Sequence, residues 1–161
     1  MASIDSLGRL KFVSGGGINF HDYGAGDNVD SNLLDDYEEG TWTPASSNAD
    51  VTISGIVNRY TKIGNLVAMG VTFNVATTSG NGAFTLSLPF TVANIPGTVW
   101  IGDVDIQNAA TDLANVTCSV AGNATNLSFR FGANNGLHTD LAADDLTTST
   151  TIRASIEYQA A

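Results

Sequence analysis

The stretch LVAMGVTFNVA, residues 66–76, decides the fold class of this chain, because its apolar residues recur at every second position. Successive side chains of an extended strand point to opposite faces. One face of this stretch therefore carries only apolar residues, namely Val67, Met69, Val71, Phe73 and Val75. The other face carries small and polar residues. The pattern predicts a long β-strand with one buried face.

The same alternation returns downstream in four shorter stretches: GAFTLSLPF (82–90), NVTCSVA (115–121), NLSFRFGA (126–133) and TTIRASIEYQ (150–159). Each predicts a strand with a core-facing set. These sets are Phe84, Leu86 and Leu88; Val116, Cys118 and Val120; Leu127, Phe129 and Phe131; and Ile152, Ala154, Ile156 and Tyr158.

A fifth stretch, TVWIGDVDI (98–106), is harder to orient. Gly102 is a candidate bulge there. Trp100 points away from Val99 and Ile101, so we expect Trp100 to lie outside the core or at an interface between subunits. Asp103 and Asp105 share one side of this strand, and that side is expected to face solvent or a partner.

Gly- and Asn-containing turns separate these stretches, as in KIGN (62–65), TSGNG (78–82) and AGNATN (121–126). The pattern predicts an all-β fold, an antiparallel β-sandwich of about eight strands that resembles a jelly roll. Helix is expected only as short turns, near residues 31–37 and 140–146.

The chain divides near residue 40. Residues 1–39 hold eight of the sixteen acidic residues and a glycine triplet at 15–17, without sustained periodicity. Such a segment cannot bury enough apolar surface to fold alone. We expect an extended N-terminal arm (1–39) that anchors the protein or interlocks subunits, and a β-sandwich tip domain (40–161).

The composition argues against several classes of partner. The net charge is −10, and the six Lys and Arg residues are scattered along the chain. Without a basic stripe, we expect no nucleic-acid partner. No apolar run has the length of a membrane span, so we expect no membrane insertion. The single cysteine, Cys118, alternates with valines and is expected to act as a small core residue.

The sequence carries no recognisable catalytic or metal-binding motif. The two histidines, His21 and His138, lie in loop-like stretches. The acidic stretches DNVDSN (27–32) and DDYEE (35–39) lack the spacing of a calcium-binding loop and are expected to be solvated. We predict no enzymatic activity, no catalytic residues, no bound metal and no cofactor.

Three groups of residues together resemble a known family. GGINF (16–20) with NVDSNLLDDYEEGTWTPA (28–45), then VNRYTKIGNLVAMGVTFNV (57–75), then GAFTLSLPF (82–90) are similar to the C-terminal module of bacteriophage tail fibres and related virion fibres. The resemblance covers residues 15–92. It implies a β-sandwich tip, usually a homotrimer, that is displayed on a virion and commonly binds bacterial surface glycans or proteins.

The resemblance predicts a phage virion structural protein, a short homotrimeric fibre or spike that recognises the host surface. It would be located on the virion and would contact other virion proteins through residues 1–39. Because only about 40 residues precede the module, we expect either that these residues serve as the anchor or that the protein is a short fibre or a capsid-decorating spike. Two alternatives remain open. One is a capsid or tail decoration protein without receptor binding, and the other is a lectin-like carbohydrate-binding module.

Two candidate sites follow. The longest polar connection, GANNGLHTDLAADD (132–145), is the candidate receptor-contact loop, with Asn134, Asn135, His138 and Asp140. The candidate assembly junction consists of Leu33, Leu34, Tyr37 and Trp42, which would seat the arm against the tip domain or a neighbouring subunit. The acidic residues between them are expected to stay solvated or to meet Arg59 and Lys62.

Overall fold

The computed structural model describes residues 2–4, 6, 10–12, 18–19, 33–34, 37–132 and 137–161. Near the N-terminus it has four short strands: β1 (Ala2–Ile4), β2 (Leu10–Phe12), β3 (Ile18–Asn19) and β4 (Leu33–Leu34). β1 pairs with β2, and β3 pairs with β4, both in antiparallel orientation. The arm proposed for residues 1–39 lies mostly outside the described residues and stays a prediction.

Nine further strands form one antiparallel sheet. They are β5 (Tyr37–Gly40), β6 (Thr52–Ile63), β7 (Leu66–Thr77), β8 (Thr85–Ser87), β9 (Val99–Gln107), β10 (Thr117–Ala121), β11 (Asn126–Gly132), β12 (His138–Asp140) and β13 (Thr151–Gln159). Their order across the sheet is β12-β11-β10-β9-β13-β7-β6-β5, and β8 pairs with β11. The predicted all-β, antiparallel class is confirmed.

The sheet curls into a half-barrel around a single apolar core. β8 lies against the first half of β11, and β12 lies against the second half. The segment after β5 is hydrogen-bonded to β8. Ser47 N–H donates to the Thr85 carbonyl, and Ser87 N–H donates to the Ala45 carbonyl. Phe84 stacks on Phe129 of β11 and also contacts Phe73 of β7, which brings distant strands together inside the curl.

The core follows the predicted alternation. All five apolar residues of the opening stretch are at most 5% exposed, and the four predicted residues of β13 are buried as well. Burying a side chain such as Phe73 stabilises the fold by about 2–3 kcal/mol relative to leaving it in water. Leu88, Val116 and Phe131 are only partly buried. Within the described residues, every buried side-chain nitrogen or oxygen has a hydrogen-bond partner.

The turn at residues 62–65 is a tight hairpin, as predicted. β6 ends at Ile63 and β7 begins at Leu66, so Gly64 and Asn65 form a two-residue turn. Gly64 has a φ of +58°, a conformation that favours glycine. The register between β6 and β7 shifts twice near Ser54.

The bulge expected at Gly102 is wrong, because Gly102 pairs in regular register with Cys118 of β10. Glycine is needed there for another reason. A Cβ at this position would collide with the Ser155 carbonyl oxygen of β13. Gly102 therefore permits a close approach between neighbouring strands.

The position predicted for Trp100 on β9 is also wrong, whereas Asp103 and Asp105 share an exposed side of the strand, as predicted. Trp100 packs against the core, whereas Val99 and Ile101 are 54% and 70% exposed. The stretch has apolar residues on both faces, so its periodicity cannot choose between them. The register decides, since Gly102, on the same face as Trp100, pairs with the buried Cys118.

In the part of residues 31–37 that the structure describes, strands stand in place of the expected helical turn. Leu33–Leu34 and Tyr37–Gly40 are strands. Near residues 140–146 there is one 3-10 turn, Ala143–Asp145. In the described part of the chain, no helix is long and apolar enough to cross a membrane.

Candidate functional site: the junction cluster and the outer face

The three groups of residues that carry the phage-fibre resemblance meet at one aromatic cluster, Trp42, Tyr60 and Phe90, here called the junction cluster. The ring centroids of Trp42 and Tyr60 are 6.4 Å apart. Tyr60 and Phe90 are 5.0 Å apart in an edge-to-face arrangement. Such pairs add about 0.5–1.5 kcal/mol beyond the area that they bury. Stretches distant in sequence thus form one packed unit.

Trp42 is held in this cluster by polar contacts with its own chain. Its backbone N–H donates to Asn58 Oδ1 at 3.1 Å, and its carbonyl accepts from Asn58 Nδ2 at 2.9 Å. Its indole N–H donates to the Ser87 carbonyl at 3.0 Å. The predicted junction residue Trp42 therefore fixes the segment between β5 and β6 onto the sheet of the same chain.

Gly40 and Glu38 complete the cluster on β5. The Tyr60 ring lies across Gly40, where an added Cβ would come within 3.0 Å of Tyr60 Oη. The Tyr60 hydroxyl donates to Glu38 Oε1, and this hydrogen bond raises the pKa of Tyr60. Lys62 pairs in register with Glu38 and lies 5.7 Å from the Phe90 ring centroid. The glycine in YEEG thus leaves room for the tyrosine in YTKIG.

The other predicted junction residues are not part of this cluster. Tyr37 is 60% exposed and lies on the opposite face of the sheet, where its hydroxyl donates to Glu39 Oε2 at 2.9 Å. That hydrogen bond raises the pKa of Tyr37. Leu33 and Leu34 lie in β4, and their side chains are outside the described residues. The structure brings Trp42, and not Tyr37, into the junction cluster.

The candidate receptor-contact loop is described only in part. Asn134 and Asn135 lie outside the described residues, whereas His138 and Asp140 are exposed on β12 at one edge of the sheet. Asp140 accepts a hydrogen bond from Arg130 Nε at 2.9 Å. Both side chains are half exposed, so this ion pair contributes at most about 1 kcal/mol. β12 is polar and accessible along its whole length.

A second surface appears on the sheet face that points away from the core. We call it the outer face and define it on four adjacent strands, β6, β7, β13 and β9. Several apolar side chains on this face are strongly exposed, namely Val57, Ile63, Leu66, Val99 and Ile101. An open trough of about 790 Å³ crosses the face, and Ala68, Gly70 and Ser155 form its floor.

The outer face is not among the sites that the sequence predicts. The available signal was the alternation in VNRYTKI (57–63), because its outward positions begin with Val57 and end with Ile63. An outward face that is apolar at both ends is unusual for a strand that meets only water.

The titratable groups in the described part of the chain do not converge on a reaction centre or a metal site. No group of three or more His, Cys, Asp or Glu residues there could hold a metal ion. Asp105 is paired with Arg153 at 2.7 Å. Cys118 is fully buried, as predicted, and burial raises the pKa of its thiol to about 11. That thiol is protonated at neutral pH, so it lacks the reactive thiolate form.

Comparison of this chain with protein-family models, with curated proteins and with solved structures finds no match.

Proposed function

We propose that this chain is a structural subunit of a bacteriophage virion, a short homotrimeric fibre or spike without enzymatic activity. Residues 40–161 would form its exposed, sandwich-like tip, and residues 1–39 would attach it to other virion proteins. The observation that carries this proposal is the junction cluster, in which Trp42, Tyr60 and Phe90 come together.

The cluster supports the proposal because it ties the separate resemblances to one physical unit. Trp42, Tyr60 and Phe90 come from the TWTP, YTKIG and LPF stretches. Tyr60 contacts both of the other rings. Tyr60 needs Gly40 beneath it, and Trp42 needs the Ser87 carbonyl as an acceptor.

Host contact is assigned to the edge of the sheet at β12. His138, Thr139 and Asp140 are exposed and polar, and they precede a 3-10 turn rather than a long buried element. Polar loops and edges on a rigid sheet are frequent sites of recognition. Three copies of a weak site for bacterial surface glycan would bind a cell far more tightly than one copy.

Immunogold labelling of virions made from the genome that encodes this chain tests the proposal. An antibody against the chain should label the distal tail. Labelling of the capsid surface alone would contradict the fibre proposal and favour a capsid decoration protein. Purified particles without any label would contradict both virion functions and favour the lectin-like module.

A further inference from the structure

The outer face carries a row of residues whose charge runs from positive to negative. Arg59 on β6 pairs in register with Gly70 on β7, Gly70 with Ser155 on β13, and Ser155 with Asp103 on β9. The row thus has a guanidinium at one end, a carboxylate at the other, and two of the smallest side chains between them.

Arg59 and Asp103 cannot neutralise each other within one chain. Three spacings between neighbouring strands separate them, which is roughly 14 Å. In the part of the chain that the structure describes, no carboxylate lies within ion-pair distance of Arg59, which donates to the backbone carbonyl of its neighbour Asn58. By contrast, Asp105 in the next row is already paired with Arg153.

Apolar side chains accompany this charged row at both ends. Val57 and Ile63 lie on the same side of β6 as Arg59, and they are 67% and 46% exposed. Val99 and Ile101 lie on the same side of β9 as Asp103. Among the residues that the structure describes, neither Arg59 nor Asp103 has an ion-pair partner. Each end of the face therefore combines one such charge with two exposed apolar residues, and the two charges have opposite sign.

We infer that the outer face binds the outer face of a second copy of this chain, with Arg59 of one copy against Asp103 of the other. When two faces stack about an axis that runs along the strands between β7 and β13, each β6 lies opposite the β9 of the other copy. The same pairing arises in a closed ring, where the β6 side of one copy meets the β9 side of the next.

The small residues in the middle of the face make this approach possible. An added Cβ at Gly70 meets nothing within 4 Å in the single chain. The trough floored by Ala68, Gly70 and Ser155 leaves room for side chains of the other copy. Stacked sheets pack about 10 Å apart, so the residues at the centre of such a contact must be small or interdigitate.

This inference deepens the proposed function and rests on it only for the expectation that the chain self-assembles. It names the surface and the charge pair through which assembly occurs. It does not depend on whether the chain forms a fibre, or on where in the virion the chain is located.

Sedimentation velocity on the full chain tests it with charge reversal. The wild type should sediment as an oligomer of its 16.7 kDa chain. Arg59→Asp and Asp103→Arg, each alone, should weaken self-association on the order of tenfold or more, and the double variant should restore it. Asp144→Arg, on the exposed 3-10 turn, is the matched control for charge and should associate like the wild type.

A second variant checks the contact sterically. Gly70→Gln adds a neutral side chain where the single chain has space, so thermal stability of the dissociated chain should persist while self-association is lost. A wild-type chain that remains monomeric at every concentration would overturn the inference, as would single reversals and Gly70→Gln that leave the oligomer intact.

Discussion

The side chain of Asn58 makes both main-chain hydrogen bonds of Trp42, accepting from its N–H at 3.1 Å and donating to its carbonyl at 2.9 Å. Asn58 thereby does what the backbone of a neighbouring strand would do. Asn58 is only 7% exposed, so these bonds are shielded from water. The TWTP stretch is held on the sheet without forming a strand.

Replacing Asn58 by Ala should lower the free energy of unfolding by about 2–3 kcal/mol. The reason is that the N–H and carbonyl of Trp42 lose their partners in a shielded position. Urea denaturation followed by tryptophan fluorescence measures the change. Asn81→Ala, in the exposed turn before β8, is the matched control and should change stability by less than about 0.5 kcal/mol. Equal stability of the two variants would contradict the role of Asn58.

Substitutions of Trp42 should lower the free energy of unfolding by more than its partial exposure suggests. Trp42→Ala removes the contact with Tyr60 and the donor to the Ser87 carbonyl, and should cost about 3 kcal/mol. Trp42→Phe keeps an aromatic ring but lacks the indole N–H, so about 1 kcal/mol is expected. Thermal unfolding compares the variants. A Trp42→Ala variant that is as heat-stable as the wild type would show that the junction account is wrong.

Two glycines on β9 and β7, the strands on either side of β13, should respond in opposite ways to the same substitution. Gly102→Ala places a methyl group against the Ser155 carbonyl oxygen and should destabilise the fold by about 2–4 kcal/mol. Gly70→Ala meets no atom within 4 Å and should be neutral or slightly stabilising. Chemical denaturation of both variants below the concentration of self-association gives the comparison. A tolerated Gly102→Ala would argue against the close approach of β9 and β13.

Alkaline pH should weaken the fold through Cys118. Burial raises the pKa of its thiol from 9.0 to about 11, so the unfolded chain loses this proton at lower pH than the folded chain. The contribution of this thiol to stability is therefore fully present below pH 9 and is lost as the pH rises toward 11. At pH 10 the loss from this group should be about 1 kcal/mol.

The measurement for Cys118 is urea denaturation between pH 8 and pH 10 under reducing conditions. Cys118→Ala has a lower starting stability because it leaves a small cavity, but its slope with pH should be shallower than that of the wild type. Restricting the range to pH 10 limits the contribution of Tyr158, whose pKa burial raises to about 12. Identical slopes would contradict the assignment to Cys118.

The sequence predicts the class of the fold and most of the core, because β7 and β13 each have one clearly apolar face. Residues such as Phe73 and Ile156 could be assigned from alternation alone. Alternation fails in β9, where both faces carry apolar residues, and there the pairing with β10 decides. A register between distant strands is a property of the whole sheet and cannot be found within one stretch.

The candidate sites were predictable to a smaller extent. The sequence indicates Trp42 as an anchor, but its partners Asn58 and Ser87 lie 16 and 45 residues away and have no motif of their own. Tyr37 is close to Trp42 in sequence, but the register of β5 with β6 places Tyr37 on the side of the sheet that points away from the core. The opposed charges of Arg59 and Asp103 become visible only when four strands are placed side by side.

A reconstruction of the virion that carries this chain tests the central claim most directly. We predict three copies around one axis at the distal tail, with Arg59 of each copy next to Asp103 of a neighbour and with Val57 and Ile101 excluded from solvent. A particle that lacks the chain, or one that holds isolated copies with the outer face in water, would contradict the account.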